Sequence, residues 1–370
     1  MVMKKIFLFF SVAAALIFTS CNSDSRPTVL NNVVCILNQG NYSQHNGSIY
    51  LYEETTKSMS ENVFFKSNNY ELGATIMDGI YNSYGIGYIL CSNPDKIEII
   101  DITNGRTATD PITDEDGGLR NTRELTLGEN YIFVSNAGSD YVVDNLTGVY
   151  EYTNSFVSIY SAFDNNLVKT IEVGSDAQDL IYANSKLYVA TKDGIVVIRC
   201  DGNDQFSIET TLRDEDFAGP VKYMCLINNV IYASIPGKGI WAVSPTGNTV
   251  NTYPVTLGYD GYLFADANNY IWTIVTDYAA GTSNIYKFDP KTGSYESAVP
   301  AGQDYYSVGV SPATGNIYYS EANGYTSNST LLVYDPDSDQ VIDTQIAGVG
   351  AYRYLFFSYL TYADEEESAM

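Results

Sequence analysis

The stretch TIEVGSDAQDLIYANSKLYVATKDGIVVI (residues 170–198) decides the architecture. It reads as a short strand, a Gly-Ser-Asp turn, an apolar strand, an Asn184-Ser185 turn, the strand Lys186–Thr191, a Lys192-Asp193-Gly194 turn and a strand over 195–198. Short alternating runs separated by Gly, Asn and Asp turns predict a four-stranded antiparallel meander. One such meander has more apolar surface than it can bury alone, so it needs copies of itself.

The copies are present. The aromatic residue of the second strand recurs as Tyr88, Phe133, Tyr188, Tyr232, Trp272 and Tyr318, at gaps of 45, 55, 44, 40 and 46 residues. That spacing is close to the roughly 40–50 residues of propeller-blade repeats. Each marker is followed by a second apolar strand, at 97–100, 156–160, 195–198, 240–243, 285–288 and 331–334, and one further pair lies upstream at 33–37 and 48–52. Seven units predict an all-β fold, a seven-bladed β-propeller of four-stranded antiparallel blades over residues 31–360, packed face to face around a central channel. The apolar stretch 349–360 is expected to close the ring, as an inner strand of the first blade or the missing strand of the last. Residues 62–73 read as a connector, and 103–118, with Pro111, as a loop. Residues 137–154 read as a tyrosine-bearing insertion in the third blade, on the face where repeat proteins commonly bind.

The only long apolar run is residues 1–20, where Lys4 and Lys5 precede IFLFFSVAAALIF and Thr19-Ser20-Cys21. This pattern predicts a bacterial export signal. Cys21 resembles the lipidated cysteine of a lipobox; the simpler alternative is a signal peptide with a cysteine nearby. The expected organisation is then a lipoprotein signal (1–20), a tether (21–30), the propeller, and an acidic tail (361–370), with membrane contact through the lipid alone. Loss of Lys4 and Lys5 lowers the 19 basic residues to 17 against 44 acidic ones, so the net charge goes from −25 to −27. Such a chain lacks the basic footprint that nucleic acid requires. The remaining cysteines, Cys35, Cys91, Cys200 and Cys225, lie in or beside apolar strands without CxxC spacing and read as buried thiols. A Cys200–Cys225 disulfide is compatible with export.

Catalytic and metal motifs are sparse. His45, the single histidine, lies in a polar turn with no G-x-S-x-G elbow in the chain. The acidic run Asp335-Pro336-Asp337-Ser338-Asp339 fails the EF-hand template, with Gln340 in place of the glycine and Ile346 in place of the bidentate Glu, so it reads as a turn. No phosphate loop or dinucleotide fingerprint is present, and neither metal nor cofactor is expected. Tyrosine is abundant, at 33 of 370 residues, and many tyrosines fall in turns. Tyrosine gives rigid amphipathic contact surface suited to recognition, although strand-rich proteins use it for packing as well. At the entrance to each innermost strand the alignment of units places Arg123, Gln178, Lys222, Tyr262, Tyr306 and Arg353. These six predict a ring on one rim of the channel, able to bind oxygen-rich or anionic groups. The alternative is that its cations relieve carboxylate repulsion around a narrow channel.

The segments LNQGNYSQHNGSIYLYEETT (37–56), NVFFKSNNYELG (62–73) and YYSVGVSPATGNIYYSEANGYTSNSTLLVYDPDS (305–338) resemble a Bacteroidetes family of surface lipoproteins with YncE-like propeller fold. The stretch IEVGSDAQDLI (171–181) is similar to the VG-x-x-P signature of those repeats, without its proline. Two motifs depart from the family pattern: Asn38-Gln39-Gly40-Asn41 stands where Asn-Glu-Gly-Asn is common, and Asn121-Thr122-Arg123 where Ser-Pro-Arg is common, so only the arginine of that second motif carries over. BtuG-type members capture cobalamin at the cell surface and sit on a TonB-dependent outer-membrane transporter. The resemblance therefore implies an exported, non-catalytic lipoprotein that binds a nutrient, with a corrinoid as first ligand and such a transporter as partner. Two rivals stand beside it: a glycan- or protein-binding surface propeller, and a propeller enzyme of lactonase or lyase type built from carboxylates.

Overall fold

The computed structural model describes residues 28–143 and 150–362. Alternation along single strands organises it. In Lys186–Thr191, Leu187 and Val189 face one neighbouring sheet while Tyr188 and Ala190 face the other. A strand buried on both faces must be sandwiched, and the molecule repeats that arrangement seven times. Each sheet has four antiparallel strands, and the first strands adjoin one another around the channel. Seven apolar clusters fill the seven interfaces between blades, so the core is a ring of dry seams. Tyr88, Phe133, Tyr188, Tyr232, Trp272 and Tyr318 each pack into the seam with the following blade, which explains why this aromatic marks the repeat.

The ring closes through both chain ends. Ala351–Tyr362 pairs antiparallel with Thr28–Asn38 and becomes the inner strand of the first blade, while the last blade is complete without it. Residues 28–30, expected in the tether, already belong to this pairing, with Leu30 opposite Leu360. The expected signal (1–20), Cys21 and residues 363–370 of the acidic tail lie outside the described residues.

Several expectations need correction. The strand beginning the 170–198 stretch is the end of Leu167–Gly174, the outer strand of the third blade. The fourth blade takes Phe206–Leu212 as its outer strand instead. Only residues 175–179 join the two blades there, a connection no longer than a turn within a blade, so sequence continuity masks the boundary. Residues 103–118 are not all loop: Arg106–Thr113 is the outer strand of the second blade. Pro111 is tolerated because it sits on an edge, where the register shifts between Ile97 and Ile99 of the partner strand. The 62–73 connector contains the short helix Val63–Asn68, capped by the Asn62 side chain and anchored by buried Val63 and Phe64. The insertion forms a separate two-stranded hairpin, Tyr141–Val143 with Tyr150–Tyr152. Cys200 and Cys225 are free, because they face different seams, between blades three and four and between blades five and six. Asp335 accepts from the Asp337 amide at 2.9 Å and the Ser338 hydroxyl at 2.7 Å, the geometry of a turn. Among the described residues no group of His, Cys, Asp and Glu is arranged to hold a metal ion, and no helix is long and apolar enough to cross a membrane.

Candidate functional site

Because the blades are antiparallel meanders, the entrances of the inner strands share one end of the molecule with the turns between second and third strands. Thr75 opposite Ser92 and Thr122 opposite Asn136 show this pairing. That end, the mouth, therefore gathers the 39–47 turn, the hairpin, and the six predicted ring positions. Inner strands bulge there. The register skips Met77 in blade two, Arg123 and Glu124 in blade three, Tyr306 in blade seven and Tyr352 in blade one. Bulges re-aim side chains that a regular pleat would send into the seams.

The structure splits the predicted ring. Arg353 is turned inward, with Nε 3.0 Å from Asp78 and an Nη 2.6 Å from Glu124, and its guanidinium lies over the Tyr352 ring. Lys222 pairs with Asp176 at 2.7 Å, and Gln178 donates to the same carboxylate at 3.0 Å. Tyr262 is buried and donates to the Val308 carbonyl at 3.2 Å. Tyr306 donates to the Gln39 side-chain oxygen and packs edge-on against Tyr325. Arg123 alone among the ring's three cations forms no ion pair among the described residues. Its guanidinium lies 5.3 Å from the centre of the Tyr152 ring, and its buried Nε has no hydrogen-bond partner.

The neck of the channel thus holds a polar cluster that the ring prediction missed: Asp78, Glu124, Asp179, Tyr223 and Tyr352 around Arg353. The Tyr223 and Tyr352 hydroxyls lie 3.2 Å apart. Burial pushes Glu124 well above the usual carboxylate range, against the opposing pull of Arg353 and with further push from Asp78 and Asp179. Burial also raises Asp179 to about 7, although the Met224 and Leu180 amides donate to its two oxygens. A sequence signal existed, since Asp78 stands at the same ten-residue offset from Tyr88 that Arg123 holds from Phe133. Glu124, Asp179 and Tyr223 stand one residue further on.

Beside Arg123 lies a cavity of about 210 Å³ between the first three blades and the hairpin. Gln39 and Tyr42 of the 39–47 turn, Thr75 and Met77 of blade two, Asn121 of blade three and Tyr152 of the hairpin form its walls. Thr75 Oγ1, like Arg123 Nε, is buried and lacks a partner. The two residues that carry these orphaned atoms thus line one cavity, and a buried polar atom without a partner costs free energy until a small rearrangement lets a ligand or water satisfy it. His45 belongs to the adjoining turn, its ring 6.4 Å from that of Tyr42. The cavity can offer a guanidinium and a hydroxyl to an oxygen-bearing group, and tyrosine faces to a flat or apolar body.

No protein-family model matches the chain, and no curated protein matches it. Solved structures do. A periplasmic gluconolactonase from Pseudomonas aeruginosa superposes with a TM-score of 0.59 at 12% identity, covering 89% of this chain and 99% of that one. A quinonprotein alcohol dehydrogenase-like protein from Bacteroides thetaiotaomicron gives 0.62 at 15%, covering 87% and 78%. A candidate 6-phosphogluconolactonase from Bacteroides uniformis gives 0.61 at 10%, covering 88% and 99%. Likenesses at such identity show the propeller fold alone.

Proposed function

We propose that the protein is a non-catalytic capture propeller that binds an amide- or carboxylate-bearing nutrient at the Arg123 cavity. In this reading it is exported, anchored through lipid on Cys21 as a surface lipoprotein of the YncE-like kind, and passes its ligand to a TonB-dependent transporter. The observation that carries the binding step is that Arg123 and Thr75, each with a buried polar atom lacking a partner, line one cavity walled by Tyr42 and Tyr152. Export, anchoring and hand-over rest on the residue 1–21 pattern and the family resemblance. The cavity is smaller than the roughly 300–1,000 Å³ of typical small-molecule sites. It accordingly takes one arm of a larger ligand, whose body lies across the tyrosines of the mouth. A corrinoid, large and edged with amide arms, fits that description and is the first ligand to test.

A hydrolytic reading would use the raised carboxyl groups of the neck as acid and base. It is the weaker reading, because Asp179 spends both oxygens on backbone amides and Arg353 engages Asp78 and Glu124 together. The deciding experiment is titration of protein lacking Cys21 with cyanocobalamin, repeated with Arg123→Ala. Binding weakened roughly tenfold or more, about 1.4 kcal/mol, is the expected result. Tight binding that ignores the substitution removes this cavity from the site, and absence of binding at micromolar concentration removes the corrinoid.

A further inference from the structure

A second cavity of about 210 Å³ opens on the same end of the molecule, between blades four and five. Phe217, Val221, Ile235 and Trp241 give it an apolar lining, and Lys192 and Arg213 stand at its edge. Its shape is fixed by a chain of hydrogen bonds. Trp241 Nε1 donates to Thr249 Oγ1 at 3.0 Å, and the Thr249 hydroxyl donates to Asp214 at 2.5 Å. The second oxygen of Asp214 accepts from the Asp216 and Phe217 amides at 3.0 and 2.9 Å. Asp214 is therefore saturated, and the Thr249 bond and its neighbours hold it below the usual range; Asp193 also lines the cavity, and Glu215 and Asp216 follow in the exposed loop. Lys238 adds a further positive charge, 5.9 Å from the centre of the Phe217 ring. Lys192 is paired with Glu151, which leaves Arg213 as the lining cation with no ion-pair partner among the described residues.

The hairpin separates this cavity from the first. Tyr152 closes on Arg123, while Glu151 pairs with Lys192. Adjacent residues of a strand point to opposite faces, so the two cavities lie on either side of one strand.

We propose that the cavity between blades four and five is a separate binding site for a small apolar carboxylate, with Arg213 holding the carboxyl group and Trp241, Phe217 and Ile235 enclosing the body. A volume below that of drug-sized sites restricts the occupant to about one ring or a short chain. The site is independent of the capture reading and of Arg123.

The chain has two tryptophans, so protein carrying 5-fluorotryptophan gives two fluorine resonances, assigned with Trp272→Phe or, should that variant not fold, Trp241→Phe. Phenylacetate at low-millimolar concentration is the probe and phenylacetamide its uncharged match. The expected result is a saturable shift of the Trp241 resonance that weakens roughly tenfold or more, about 1.4 kcal/mol, with Arg213→Gln and with phenylacetamide. It should be unchanged in Arg123→Ala. No saturable shift, equal binding of the amide, indifference to Arg213→Gln, or loss of the shift in Arg123→Ala would each overturn the proposal.

Discussion

Arg353 sits between Asp78 and Glu124, two carboxylates that hardly touch solvent. Removing one partner from a buried ion pair strands the other and costs about 3–5 kcal/mol. The Arg353 side chain is 24% exposed, which places Arg353→Ala near the lower end, about 3 kcal/mol, measured by urea unfolding. Combining it with Asp78→Asn and Glu124→Gln should recover most of the loss. Asp179 supplies a pH test. Its folded value of about 7 lies above the roughly 3.9 of an unfolded aspartate, so the native state binds more protons between those limits. Its contribution to stability is full below about pH 4 and falls away as pH rises to about 7. Asp179→Asn should gain stability over the parent across that window and hold a constant advantage above it, seen as diverging then parallel urea midpoints. The inner-strand slot of these residues was legible from the repeat alignment. Their partners were not, because Arg353, Asp78 and Glu124 belong to three different blades and no local pattern records which side chains meet across a channel.

At the scale of the element, the second-strand aromatics are the part of the fold most visible in sequence, because each must fill the same position in a seam. Phe133 is fully buried and stacks on Tyr182 at 5.5 Å. Phe133→Ala should cost about 3–5 kcal/mol by chemical denaturation. The hairpin behaves differently. Its two described strands form a ladder only with each other, and its other ties, Glu151 to Lys192 and the Tyr152 carbonyl to the Asp176 amide, do not use the Tyr152 side chain. Tyr152→Ala should therefore leave the melting temperature within a few degrees of the parent while weakening any ligand of the Arg123 cavity, as calorimetry can show for both quantities. The cavity escaped the sequence reading because bulges create it. Met77 and Arg123, both skipped out of register, line the cavity at the mouth, Met77 while still packing on the seam between blades two and three, and a bulge leaves no trace in hydrophobic alternation. The outer strands were partly hidden for a related reason. Arg106–Thr113 is exposed at half of its positions and buried at one, so its composition is that of a loop.

For the molecule as a whole, closure depends on residues far apart in the chain, such as Asn31 and Thr361, whose side chains bond at 3.0 Å across 330 positions. Ending the chain at Gly350 would leave the first blade without its inner strand and expose the unpaired edge of Thr28–Asn38. Such edges recruit other chains, so this truncation should aggregate on size-exclusion chromatography, whereas ending at Tyr362 should leave a monodisperse species with the parent melting temperature. The same pairing also sets an orientation. Residue 28 lies opposite residue 362, and Asn38 opposite Ala351, so the chain enters the propeller at the end remote from the mouth. The 11 residues of that strand span roughly 36 Å. Lipid on Cys21, as proposed, then tethers the blunt underside to the bilayer and leaves both cavities looking outward, like a dish mounted on its stem.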